Sequence, residues 1–300
     1  MSTHERGRWR RTVSGLFPVW GWIFAGSVVA GFLPGVSYAA TAPFIVLFFA
    51  LALVRPRHRD ADDPVEVACP VRGTWTVVHS PASAVPSHGV RGYGQSHAID
   101  LVRPRPEGTT PGYPLLAGFE RPQTFASFGE PIHAVADGVV VRVVDGRRDH
   151  LSRTSWLAFA YMMVIDGLRD FGGAPAVVGN HVVIDHGSDV YSLYAHVRRG
   201  SATVAAGDRV AEGQVVGRIG NSGNTSEPHL HFQLMDRPRP LQAAGLPMRF
   251  RGITQPEGAL DRSWSAKEPS RQIEPGMPAN FQVFEADEGT VPDSGHACSA

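Results

Sequence analysis

The sequence predicts a mainly β, antiparallel domain, preceded by an N-terminal hydrophobic helical membrane region and interrupted by one helical insertion. Three observations predict this. Between Thr74 and Pro240, short apolar runs alternate with Gly, Asp and Asn at turn positions. From Thr12 to Val54 there is no charged residue. Between about 147 and 178 lies an apolar run too long for a hairpin connection, which usually takes ~2–5 residues.

The N-terminal region, residues 1–56, comes first. A single helix from Thr12 to Val54 would rise about 64 Å at 1.5 Å per residue. That is roughly twice the ~30 Å hydrocarbon core of a bilayer. Pro34-Gly35 divides the stretch into Leu16–Leu33 and Tyr38–Val54, read as two membrane segments joined by a tight turn. A signal peptide is the alternative, with Arg8, Arg10 and Arg11 as its basic region and Ser37-Tyr38-Ala39 as a cleavage site. Tyr38–Val54 would still remain hydrophobic after such cleavage. A buried helical hairpin is disfavoured because no polar face is visible. Residues 57–64, with Arg57, Asp60, Asp62 and Pro64, read as a polar linker.

The globular part is expected over 65–263. Its strands are Trp75–His79, Ala98–Val102, Ile132–Ala136, Gly138–Val144, His181–Asp185, Val190–His196 and Gln214–Ile219. Asp137-Gly138, Asp145-Gly146, His186-Gly187, Ala206-Gly207 and Glu212-Gly213 are turn signals between them. The insertion, Thr154–Phe171, reads as a helix capped by Thr154 or Ser155. It is expected to pack on the sheet as a buried helix; a lid over a groove and a membrane-surface contact are the alternatives. Residues 264–300 read as a polar tail, with Ser265–Pro278 as an extended arm. Cys69 and Cys298 sit at the two ends of the globular region, and a bridge and two free thiols are both open.

Composition excludes several functions. The 300 residues carry 28 basic and 28 acidic side chains, so no electrostatic case for nucleic acid exists. No dinucleotide or phosphate-loop fingerprint and no Ser nucleophile elbow appears. Two short apolar segments carry no polar pathway for transport.

The chemistry concentrates in His229-Leu230-His231. In a strand, side chains at i and i+2 share a face, so the two imidazoles point the same way. That suits one metal ligand with an acid/base group beside it. A hydrolytic zinc site takes three protein ligands, from His and carboxylate, and a free acid/base group nearby. His231 is the first candidate ligand. Asp100 is the second, because a carboxylate in the middle of an apolar strand is costly unless paired or metal-bound. His196 closes the strand Val190–His196 and shares a face with Ser192 and Tyr194.

Six segments in order carry a family resemblance. They are Asp137-Gly-Val-Val140, Gly179-Asn-His-Val-Val-Ile-Asp-His-Gly187, Tyr194-Ala-His196, Gly207-Asp-Arg-Val-Ala-Glu-Gly213, Gly217-Arg-Ile-Gly-Asn-Ser-Gly-Asn-Thr225 and His229-Leu-His231. The run resembles the lysostaphin/LytM-type zinc metallopeptidases, the M23 peptidase family, strongly from Phe128 to Leu234 and more loosely from Pro86 to Val102. The resemblance implies a compact antiparallel β fold with one Zn2+ in a groove, cleaving peptide bonds of bacterial peptidoglycan. It implies His231 and Asp100 as zinc ligands, and His196 and His229 as catalytic histidines that orient the attacking water and stabilise the oxyanion. A non-catalytic domain of the same fold, binding the cell wall or a partner that it regulates, is the alternative.

The sequence departs from the family at the first ligand. The family places a His four residues before the Asp, and Ser96 stands there. His88, on a Gly/Pro-rich loop, is the favoured replacement, with His97 as the alternative. His97 lies three residues before Asp100 and faces away from it in a regular strand. Localisation pulls two ways. A cell-wall substrate puts the catalytic domain outside the membrane. Arg8, Arg10 and Arg11 before the hydrophobic region, and Arg55, Arg57 and Arg59 after it, point to the cytoplasmic side.

Overall fold

The computed structural model describes residues 3–60, 62–105, 119–256, 258–264 and 276–288. Three helices open the chain: α1 (Thr3–Gly15), α2 (Phe17–Gly31) and α3 (Tyr38–Ala52). Pro18 sits in the first turn of α2, where a missing N–H leaves no hydrogen bond unmade. Ser37 caps α3, its Oγ accepting from the Ala39 N–H at 3.2 Å. Phe24 stacks on Phe48 across the pair at 4.6 Å. Each of these two helices has 15 residues, a rise of about 22 Å. Among the described residues no single helix is long and apolar enough to cross a membrane; α1 and α2 together reach that length across a 52° bend.

α1 is fastened to the domain that follows. Both terminal guanidinium nitrogens of Arg11 donate to Asp236, at 3.0 and 2.5 Å, and Nη1 also donates to the Gln242 carbonyl at 2.6 Å. Ser14 Oγ donates to the Leu241 carbonyl at 2.6 Å.

The β domain contains β1 (Val65–Ala68), β2 (Gly73–His79), β3 (Ile99–Val102), β4 (Pro131–His133) and β5 (Gly138–Val144) before the insertion. The insertion is α4 (Trp156–Asp170) and α5 (Ala174–Val177). Then follow β6 (His181–Asp185), β7 (Tyr191–Ala195), β8 (Arg209–Val210), β9 (Val215–Arg218) and β10 (Leu230–Met235). The last four are β11 (Gly245–Leu246), β12 (Met248–Arg251), β13 (Ile253–Thr254) and β14 (Val283–Ala286). The central sheet runs β13-β14-β2-β3-β10-β7-β6-β5-β8, with β11 also on β10. Its pairings are antiparallel, as the short strands and tight turns predict. β4 and β9 form a separate antiparallel pair, and β1 and β12 a parallel one.

Alternation sorts the sheet into two faces. Leu230, Phe232 and Leu234 of β10 join Ile99, Leu101, Trp75, Val77, Tyr194 and Ile184 in the main core. The opposite residues of the same strands, Asp100, His231 and Gln233, are also buried, on the other face.

Two expectations are corrected. Part of the expected polar tail, 264–300, belongs to the sheet: β14 pairs antiparallel with β2, and Met277, Phe284 and Ala286 lie in the core. Its buried residues, Phe284 and Ala286, alternate with polar Glu285 and partly buried Val283, too short a pattern to stand out in a polar stretch. The insertion is not a buried helix. Ser155 caps α4, accepting from the Ala158 N–H at 3.2 Å. Ala158 and Met162 face the protein, while Leu157 and Val164 are exposed.

Cys69 is buried, and burial pushes its thiol up to about 12. Cys298, its expected partner, lies outside the described residues, as do residues 265–275 of the expected arm.

Candidate metal centre and active site

Three strands bring the site together on one face of the sheet. In the register of β10 against β3, His231 lies opposite Asp100. Against β7, His231 lies opposite Ala195, so His196 follows one residue beyond. His196 leaves the strand with φ 59°, a left-handed conformation that turns its ring back toward His229. The two rings stand 4.8 Å apart.

His88 reaches this face from the loop before β3. Its Nε2 lies 2.8 Å from Asp100 Oδ2, and His231 Nδ1 lies 2.9 Å from Asp100 Oδ1. Donor atoms of His88, Asp100 and His231 all fall within 4.8 Å of one another, a group able to hold a metal ion. His97 is not in that group. Its ring is buried elsewhere, with Nε2 3.9 Å from Asp60 Oδ1.

The outer nitrogens of the two imidazoles are occupied. His231 Nε2 donates to Gln233 Oε1 at 2.9 Å, and His88 Nδ1 meets Ser87 Oγ at 3.0 Å. Such partners fix the ring orientation and aim the opposite nitrogen inward, the usual arrangement behind a metal-ligating histidine. Two nitrogens and a carboxylate so prepared suit Zn2+.

His196 and His229 are held differently. His196 Nδ1 donates to the Ser222 carbonyl at 2.7 Å, and His229 Nδ1 to the Glu227 carbonyl at 2.8 Å. Each Nε2 is thereby left as a lone-pair acceptor. His229 Nε2 lies 3.7 Å from Asp100 Oδ1. Burial, together with His229 and His231, pushes His196 well below the ordinary imidazole value. Burial also lowers His229, against the pull of Asp100. Burial opposes charge on Asp100 too, but His88, His229 and the hydrogen bonds from His231 and His88 outweigh it and hold the carboxyl well below its usual range.

The loops behind the histidines approach closely. Gly179, at φ +67°, lies against Ser222, and Gly223, at φ +83°, against Val177 and Gly179. A Cβ at either position would overlap backbone and displace Ser222, whose carbonyl orients His196.

A cavity of about 660 Å³ opens over the site, lined by all these histidines except His97 and by Asp100. Met162 of α4, with Val177 and Val178 after it, forms part of the wall. Glu227 lies at its edge, buried and paired with Arg105 at 2.9 Å. Arg105 in turn stacks on Trp264 at 4.0 Å.

Two site residues were missed in the sequence. Gln233 had a signal: it lies two residues beyond His231 in an apolar strand and shares its face. His79 had none. Alternation puts it on the core face with Trp75 and Val77. A bulge between Val77 and His79 shifts the register, so His79 faces Asp100 instead. Its ring stands 4.9 Å from that of His88.

Part of this chain is similar to known peptidases. Residues 123–243 match peptidase family M23. That stretch includes His196, His229 and His231, and leaves His88 and Asp100 upstream. The peptidoglycan DD-endopeptidase ShyA of Vibrio cholerae is 42% identical over 72 residues, 23% of this chain and 16% of that protein. The DD-carboxypeptidase/endopeptidase Mpg of Neisseria meningitidis is 33% identical over 94 residues, 31% of this chain and 21% of that protein. The chain thus spans about a fifth or less of the length of these relatives. The catalytic domain of lysostaphin from Staphylococcus simulans superposes with a TM-score of 0.26 at 22% identity, over 45% of this chain and 84% of that one. Over residues 123–243, then, this chain is similar to peptidase family M23.

Proposed function

We propose that this chain is a membrane-anchored zinc endopeptidase that hydrolyses peptide bonds of bacterial peptidoglycan. One observation carries the reading: four histidines surround a single buried carboxylate in two differently prepared pairs. His88 and His231 turn a nitrogen toward Asp100 and tie the other to a polar side chain. His196 and His229 tie Nδ1 to a backbone carbonyl and keep Nε2 free to accept. The first pair, with Asp100, would hold the metal. The second moves protons.

Zinc held there would supply a Lewis acid that activates water and polarises a carbonyl. The chain does the rest. The neutral Nε2 of His229 takes the proton of the attacking water, and the Asp100 carboxylate 3.7 Å away favours the imidazolium that results. Once protonated, an Nε2 becomes a donor that stabilises the oxyanion or protonates the leaving amine. His196, also kept neutral by burial, faces the same cavity as the second such group. The apolar wall from Met162 and Val178 limits water around the reacting bond.

The substrate rests on the family and on the relatives named as peptidoglycan endopeptidases. The anchor rests on the uncharged stretch from Thr12 to Val54. A cell-wall substrate supports an outer-face position for the domain, against the flanking arginines. Protease treatment of intact spheroplasts should therefore degrade the domain; protection would place it inside. Purified protein should carry a single zinc and cleave a peptidoglycan preparation. His196→Ala and His229→Ala should keep the zinc and lose turnover by about 10²-fold or more. Zinc binding without any hydrolysis by the wild type would instead support a non-catalytic, wall-binding domain.

A further inference from the structure

α4 is apolar on two sides. At 100° per residue, Trp156, Leu157, Tyr161, Val164 and Leu168 fall within an arc of about 140°. These five side chains are 50–67% exposed. Ala158 and Met162 lie outside that arc, buried against the protein. From Trp156 to Ile165 the helix is apolar nearly all round; such a segment belongs inside a core or in lipid, and one side of α4 is already packed.

The C-terminal end of α4 is seated in the α2–α3 hairpin. The Phe171 ring lies 6.3 Å from Trp22 and 6.4 Å from Phe48. It rests on Gly21, where any Cβ would overlap it. The hairpin is itself uncharged and exposes Trp22, Val29, Phe44, Val46 and Phe49. Two exposed apolar surfaces thus meet through one aromatic contact, and a single apolar phase covers both. Trp156 and Tyr161 on the outer face of α4 are the residue types that settle at a lipid–water boundary.

We propose that the outer face of α4 is a second membrane contact, inserting into the lipid interface beside the α2–α3 hairpin; this rests on the membrane-anchor reading. The contact holds the catalytic cavity next to the bilayer, because Met162 on the inner side of the same helix lines it together with His196 and His229. The groove then works on peptide presented close to the membrane surface.

The test uses the full chain carrying Cys298→Ser, reconstituted into phosphatidylcholine–phosphatidylglycerol vesicles. Cys69 stays unlabelled, since it is buried and its thiol is pushed up to about 12. A polarity-sensitive fluorophore is placed at Val164→Cys on α4, Val46→Cys on the hairpin or Ala206→Cys, an exposed position on a loop between strands. Nitroxide-bearing lipids should quench the labels at 164 and 46 and leave that at 206 unchanged. Quenching at 46 but not at 164 would overturn the proposal and leave the anchor standing. Quenching at neither would remove the anchor reading, and the proposal with it. Disulfide-linked dimers through position 164 without quenching would assign the face to a second copy of the chain and overturn the lipid contact.

Discussion

At the scale of single residues, the site depends on what each imidazole does with its second nitrogen. Gln233 holds His231 by Nε2 and Ser87 holds His88 by Nδ1, so both rings turn their other nitrogen toward Asp100. Removing such a support typically weakens metal binding about 10–100-fold. Gln233→Leu should therefore bind zinc that much more weakly while remaining folded. His88→Ala, losing a ligand outright, should lose zinc affinity by orders of magnitude. His97→Ala should leave the metal in place, because its ring is buried beside Asp60 and outside the donor group. Zinc titration of the three purified variants checks the order. Full occupancy in His88→Ala with loss in His97→Ala would reverse the assignment.

At the scale of elements, local irregularities aim the chemistry. The bulge in β2 turns His79 from the core face to the face of Asp100. The left-handed turn at His196 ends β7 and sends the chain away from the sheet while the ring stays over it. β14 has a structural task. It covers the edge of β2, which otherwise presents unpaired N–H and C=O groups, and it delivers Phe284 into the core beside β2. Phe284→Ala should cost about 3–5 kcal/mol by the usual measure for a buried aromatic. Denaturant unfolding of the zinc-free protein reads this directly. A loss below about 1 kcal/mol would mean that β14 docks only loosely on the domain.

At the scale of the whole molecule, α1 decides how the hydrophobic region is arranged. Arg11 makes a two-pronged ion pair with the buried carboxylate of Asp236, and Ser14 bonds the Leu241 carbonyl. α1 therefore lies on the peptidase domain itself. The chain enters the apolar hairpin from the domain and returns to it, which agrees with arginines at both ends of the stretch. An epitope placed before α1 and one in the 206–207 loop should be accessible from the same side of the membrane in spheroplasts. Accessibility from opposite sides would contradict the docking of α1. Arg11→Ala strands the Asp236 charge in a buried place, and should loosen α1 as well as destabilise the fold.

The sequence by itself determined the sheet and the pair at its centre. Period-two alternation, Gly-Asp-Asn turns and the ordered motifs up to His229-Leu-His231 mark an antiparallel domain, because strand geometry is written in neighbours one and two residues apart. The same rule puts His229, His231 and Gln233 on one face. Capping and the long apolar run likewise mark α4. What crosses the chain was left to the tertiary structure. His88 was already the favoured ligand in the sequence, but the contact that brings it to Asp100 from 12 residues away runs through a loop whose path follows no period. His79 reaches the site only because one extra residue shifts a register. β14 returns from beyond residue 264 to pair with β2, and four residues hold too little pattern to reveal it. The exposed side of α4 was equally hidden, since an apolar helix has the same sequence whether protein or lipid covers it. In each case the deciding energy is packing between segments distant in the chain, which local propensity does not encode.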